Sequence, residues 1–306
     1  MEQRILGKTN LSVSILGLGT APLAYLGIDE RPATELVEAM LDAGVNVLDT
    51  AAMYPGSEAF IGRRLAHRRK DFLLISKCGT KVEGIDAPPW SPELISRTVD
   101  RALQLTRAGV IDVMLLHSCD LKTLQRGEAL DALRGAQKAG KVRFLGYSGD
   151  NEAAAYAASI ADVAVIEASI NIVDQANLQT VLPLAQQNHV GIIAKRPIAN
   201  AAWKDLSRQP GLYKSYAKDY TQRFAQLGLS PQDLGFAGDG AWPEIAIRFT
   251  LSFPQVSSAV IGTTSLENAR ANFGYVKKGP LPPATVERIR AAFRSADPNG
   301  SWKGLT

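Results

Sequence analysis

The sequence predicts an α/β fold, a (β/α)8 barrel preceded by a short hairpin. Two observations carry that prediction. Eight short apolar runs alternate with amphipathic stretches, the element order of a parallel barrel. The junctions also repeat: "LDAGVNVLDT" (41–50), "TRAGVIDVMLLHS" (106–118) and "QKAGKVRFLGYSG" (137–149) share Ala-Gly, at Gly44, Gly109 and Gly140. Glycine just past a helix end supplies the left-handed conformation that closes the last turn.

In chain order, residues 2–12 are expected to form a hairpin plugging the barrel bottom. The predicted strands are 14–19, 45–50, 72–78, 111–117, 142–148, 163–171, 190–196 and 257–263. They are apolar on successive positions, as strands buried on both faces are. Helices are expected over 33–43, 91–105, 121–139 and 176–188, the second opened by Ser91 as N-cap with Pro92 at the first position. The longest insertion, 200–241, follows the seventh strand and holds Trp203, Tyr213, Tyr216, Tyr220 and Phe224. Its helical middle argues for an ordered cover, with a surface decoration as the alternative. A doubly wound open sheet is the competing fold, but "GLGTAP" (17–22) has two of the three glycines of a phosphate-cradling turn. Residues 1–306 are read as a single domain, with the polar tail "SADPNGSWKGLT" (295–306) outside the core.

Composition bounds the function. A chain of 306 residues with 46% hydrophobic and 21% charged content needs no staples. Its two cysteines, Cys78 and Cys119, offer no disulfide framework and suit a reducing, cytoplasmic setting. No apolar run reaches membrane-spanning length, and a net charge of +4 gives no basis for nucleic-acid binding. Cys78, His117, Cys119 and Asp120 lack the paired spacing of a metal site, so no metal is expected.

Chemistry in such barrels sits at the C-terminal strand ends. Those ends read Asp49 (with Tyr54 in its loop), Lys77, His117, Ser148, Asn171, Lys195 with Arg196, and Thr263. A tyrosine with a pKa near 10 is a poor acid at neutral pH. A neighbouring lysine cation lowers that value, and a carboxylate holds the lysine in place. A histidine opposite orients a carbonyl, which completes a general acid beside a developing oxyanion. The set holds no conventional nucleophile; its missing partner is an electron-pair donor, and a nicotinamide hydride would supply it.

"LDTAAMYPGSEAFIGRRL" (48–65), "LLISKCG" (73–79), "IDVMLLHSCD" (111–120), "GKVRFLGYSG" (140–149) and "VIGTTSLENARANF" (260–273) stand in order at the strand ends. Together they resemble the aldo-keto reductase superfamily over essentially the whole chain. The resemblance implies Tyr54 as proton donor, Lys77 as its pKa modulator, Asp49 as the lysine's partner and His117 as the carbonyl-orienting residue. It implies a small-molecule carbonyl or alcohol substrate and NADPH as cofactor, with NAD as the alternative. Thr20 and Asp49 would lie near the nicotinamide, and Ser148 and Asn171 would hold its carboxamide. Gly262, Thr263 and Asn272 would embrace the adenosine phosphate end at a helix N-terminus. The chain departs from the pattern in three places. Gly149 stands where the family often has Asn. Lys195 and Arg196 replace a stacking aromatic and are expected either to turn to the cofactor phosphates or to form rim ion pairs. Gly262 and Asn268 stand where many NADP users carry a basic pair, leaving Arg270 as a phosphate contact. Two other functions compete: a cofactor-binding sensor or accessory subunit, and an aldolase or isomerase using Lys77 for a Schiff base.

Overall fold

The computed structural model describes residues 1–209 and 213–305, with the side chains of Tyr213 and Tyr216 outside the described residues. A hairpin, β1 (Gln3–Ile5) and β2 (Ser12–Ser14), opens the chain. Eight parallel strands then close a barrel: β3 (Leu16–Gly19), β4 (Val47–Asp49), β5 (Leu73–Cys78), β6 (Ile111–His117), β7 (Val142–Ser148), β8 (Val163–Ser169), β9 (Gly191–Lys195) and β10 (Val256–Gly262). β10 pairs back onto β3, so the barrel has no open edge. The open-sheet alternative is thereby excluded.

Period-two alternation sorts the strand residues into two layers. Leu48, Leu74, Met114, Leu145, Ile166 and Ile192 face the surrounding helices. Val47, Ile75, Val113, Leu115, Val165 and Ile193 fill the barrel interior, and Leu6, Leu11 and Val13 of the hairpin plug it from below. Gly7 makes that plug possible, because a Cβ there would sit 2.2 Å from the Gly191 amide nitrogen.

Several predicted elements change at their ends. The stretch 121–139 is two helices, Leu121–Arg126 and Glu128–Lys138, broken at Gly127, whose φ of 81° no helix continues. The stretch 176–188 likewise splits into Ala176–Thr180 and Leu182–Gln187, with Pro183 opening the second piece. Gly44 and Gly140 take the expected left-handed turn, but at the third junction Arg107 adopts it, at φ 53°, and Gly109 does not. β8 stops at Ser169, so Asn171 lies beyond the strand it was expected to end. Arg196 and Thr263 likewise fall one residue past β9 and β10.

The described residues of the insertion fold into helical segments. Helix Tyr213–Leu227 buries Tyr220, and Phe224 and Trp203 pack on Trp242 at centroid distances of 4.8 and 6.3 Å. The tail corrects its sequence reading, because its polar backbone is satisfied by side chains from distant helices and loops. Trp302 packs edge-on to Phe293 at 5.2 Å and lies 5.3 Å from the Arg223 guanidinium. Gly304 is buried and exchanges two hydrogen bonds with Asn151, at 2.6 and 2.9 Å.

Candidate active site

The polar cluster follows from the barrel's alternation. Inward positions continue upward from Val47 to Asp49, from Ile75 to Lys77, from Leu115 to His117 and from Val165 to Glu167. Below the mouth the interior is apolar, and at the mouth it is ionic. Register aligns His117, Ser148 and Glu167 side by side across β6, β7 and β8.

Lys77 is the hub. Its Nζ lies 2.6 Å from Asp49 Oδ1, donates to the Thr50 carbonyl at 3.0 Å and sits 3.3 Å from Glu167 Oε2. All three charged side chains are nearly inaccessible to water, at 1% for Lys77, 6% for Asp49 and 4% for Glu167. A buried ammonium without partners would shed its proton. Burial pulls that way here, but Asp49 and Glu167 outweigh it and raise the Lys77 pKa. Burial, reinforced by Glu167, raises the proton affinity of Asp49 well above the carboxylate range against the pull of Lys77.

The half-buried Tyr54 ring stands 5.5 Å from Lys77 Nζ, with its centroid 6.3 Å from that of His117 and an interplanar angle of 81°. Burial first, then the cations of Lys77, Lys195 and Arg196, hold the His117 pKa well below its ordinary value, so the imidazole is neutral. Its Nδ1 is buried without a hydrogen-bond partner among the described residues. A buried polar atom of that kind calls for a group from outside the chain. A carbonyl-bearing ligand beside Tyr54 fits that demand.

The other expected contacts fall into two groups. Ser148 lies in the cluster, donating to Glu167 Oε1 at 3.2 Å. The Thr20 hydroxyl serves the loop below, donating to the Asp49 carbonyl at 3.0 Å and accepting from Ser57 at 2.7 Å. Asn171 donates from its amide to the Arg196 carbonyl at 3.1 Å and accepts the Val173 amide at 3.0 Å. Lys195 pairs with buried Asp150 at 3.0 Å. Arg196 donates to the Leu305 carbonyl in the docked tail.

The phosphate segment lies at the end of β10. Gly262 is exposed there, and a Cβ at that position would lie 2.5 Å from Pro22 Cγ, so a larger residue would force Pro22 to move. Thr263 accepts the Ser265 amide at 3.0 Å, and Ser265 caps helix Leu266–Lys277. Asn268 and Asn272 stand four residues apart on one face of that helix, with Asn272 buried. Exposed Arg270 points about 200° around from Asn268.

Three participants were missed or left without a role by sequence reasoning. Glu167 was passed over because strand six was read through to Asn171, although a lone acid on an inward position of an apolar strand demands a partner. Trp90 donates from Nε1 to the His117 carbonyl at 3.2 Å and packs against Gly79, where a Cβ would clash at 2.5 Å. Tyr25 packs edge-on to Tyr54 at 5.8 Å.

Residues 15–294 match the model of the Aldo/keto reductase family. The chain belongs to that family. Aldo-keto reductases are oxidoreductases that use nicotinamide cofactors, and this chain is one of these enzymes. L-galactose dehydrogenase of Arabidopsis thaliana is 25% identical, the alignment covering 90% of this chain and 88% of the relative. Pyridoxal 4-dehydrogenase of Microbacterium luteolum is 26% identical over 89% of this chain and 92% of its own. Among solved structures, an aldo-keto reductase from Bacillus halodurans in its holo form superposes with a TM-score of 0.78 at 25% identity, over 95% of this chain and 96% of that one.

Proposed function

We propose that this aldo-keto reductase, acting as a single-domain enzyme, interconverts a small aldehyde or ketone and its alcohol with NADPH, and that Tyr54 is the acid. The observation that carries the reading is the buried Lys77–Asp49 pair under the Tyr54 ring, with a neutral, unsatisfied His117 beside it. When bound, the nicotinamide supplies a hydride to the carbonyl carbon. Tyr54 gives its hydroxyl proton to the carbonyl oxygen as the C=O π bond breaks, and solvent restores that proton later. The Lys77 ammonium stabilises the phenolate left on Tyr54, and Asp49 keeps the ammonium in place. His117 is neutral, so it contributes a hydrogen bond to the carbonyl oxygen without competing as an acid.

Ser148 would hold the carboxamide, while Gly262, Thr263, Asn268 and Asn272 would line the adenosine phosphate end at the N-terminus of helix Leu266–Lys277. Arg270 is proposed for the 2′-phosphate. Asn171 and Thr20 support the site through the loops they hold together. The named relatives act on a sugar and on pyridoxal, so a polar hydroxylated carbonyl or its alcohol is the substrate class to screen first.

Fluorescence titration with NADPH and NADH tests the cofactor. Tight NADPH binding supports the reading, and binding of neither nucleotide refutes it. Tyr54→Phe tests the chemistry: it should retain cofactor binding and lose about 10²–10⁴ in turnover. Near-normal turnover in that variant would remove Tyr54 from its role.

A further inference from the structure

Lys77 is one cation with two buried carboxylates, and the proposed chemistry uses only Asp49. Glu167 is the surplus. It is 3% exposed, on the inward face of β8, with Oε1 accepting from Ser148. Its Oε2 lies 3.3 Å from Lys77 Nζ but has no hydrogen-bond partner among the described residues. Lys77 is shared between the two carboxylates, so it offsets Glu167 only in part. Lys77 is engaged first by Asp49, at 2.6 Å. Lys195 is held by Asp150 at 3.0 Å, and Arg196 is carried past the strand end to the Leu305 carbonyl.

We propose that Glu167 is an electrostatic specificity residue that makes this site prefer the oxidised, positively charged nicotinamide, and so favours alcohol oxidation. The inference rests on the nicotinamide reading above, in which Ser148, the residue that donates to Glu167, would hold the carboxamide. Reduced nicotinamide is neutral and the oxidised ring carries a positive charge, so a buried anion a few ångströms away distinguishes them. At an effective dielectric near 20, unit charges about 6 Å apart interact by more than a tenfold factor in affinity. Burial is the main reason the proton affinity of Asp49 is raised, and the Glu167 charge adds to it, a crowding of two acids around one cation. Oxidised cofactor relieves that crowding, and reduced cofactor leaves it in place.

The test is calorimetric titration of the purified protein with NADP+ and NADPH, and with NAD+ and NADH, at one pH and salt concentration. The wild type should bind the oxidised form about tenfold more tightly or better. Glu167→Gln, which keeps shape and an acceptor for Ser148, should lower that preference by a similar factor, and Glu167→Asp should retain most of it. A merely structural role would weaken both redox forms together and leave their ratio unchanged, and that result overturns the inference while the nicotinamide reading stands. A wild type that prefers the reduced form overturns it without any variant. Binding of no nucleotide by the wild type overturns the nicotinamide reading beneath it.

Discussion

The hydroxyl of Tyr220 donates to Asp174 Oδ2 across 2.8 Å. The same oxygen accepts the Leu305 amide at 3.0 Å, so one buried carboxylate joins the insertion helix to the chain's tail. Asp174 Oδ1 has no partner among the described residues, and burial, aided by the Asp150 charge, raises the Asp174 pKa from 3.8 to about 7.

That shift sets a pH dependence. Between about pH 4 and 7 the folded chain holds a proton on Asp174 that the unfolded chain has released. Stability from this group is therefore present at low pH and lost as pH rises through 7. Asp174→Asn should flatten that part of the profile and gain up to about 4 kcal/mol relative to the wild type above pH 7. Urea denaturation at a series of pH values measures it, and parallel profiles for the two proteins would refute the assignment.

His117 has the opposite sign. Its folded pKa lies well below 6.5, so below that pH the unfolded chain binds a proton the folded chain refuses. The wild type should lose stability as pH falls through 6.5 and below, and His117→Gln should lose less. Differential scanning calorimetry from pH 7 to pH 5 distinguishes the two curves.

Removing Lys77 strands two carboxylates. Lys77→Met should cost about 3–5 kcal/mol, because an unpaired buried charge keeps its desolvation penalty. Adding Glu167→Gln should recover part of that loss, with a coupling of about 1–3 kcal/mol in the double-mutant cycle. Additive losses would show that Glu167 and Lys77 do not interact.

Two glycines should respond to alanine in opposite directions. A Cβ at Gly62 would lie 1.9 Å from the Leu105 carbonyl oxygen, so helix Ser57–Arg64 would have to move off helix Pro92–Thr106. Gly62→Ala should cost about 3 kcal/mol. Gly135 sits inside helix Glu128–Lys138 with no neighbour within 4 Å of such an atom, and Gly135→Ala should stabilise by about 0.5–1 kcal/mol. Chemical denaturation of the two variants checks both signs.

Much of the site was legible where chemistry coincides with local pattern. The runs 111–117 and 142–148 were read with their final boundaries, so His117 and Ser148 were found at strand ends. Asp49 and Lys77 were found because an apolar run stops abruptly in a charge. Glu167 was hidden because strand six was read two residues too long, which moved attention from an inward acid to Asn171 in the following loop. The fates of Lys195 and Arg196 were illegible for a different reason. Their partners, Asp150 and Leu305, lie 45 and 109 residues away, and no local periodicity announces such a pairing.

By itself the sequence determined the barrel, the hairpin beneath it and the polar rim, because hydrophobic periodicity and helix-ending glycines are properties of neighbouring residues. The tertiary structure decided what those polar residues face. Barrel closure brings Asp49, Lys77 and Glu167, from three different strands, into one dry volume where burial and the neighbouring charges shift Asp49 and Lys77. It also lets Asn151, Asp174 and Arg196 satisfy the backbone of a glycine-rich tail that composition alone assigns to solvent. Burial and partnership arise only when distant segments meet, and they turn a list of charged residues into an electrostatic site.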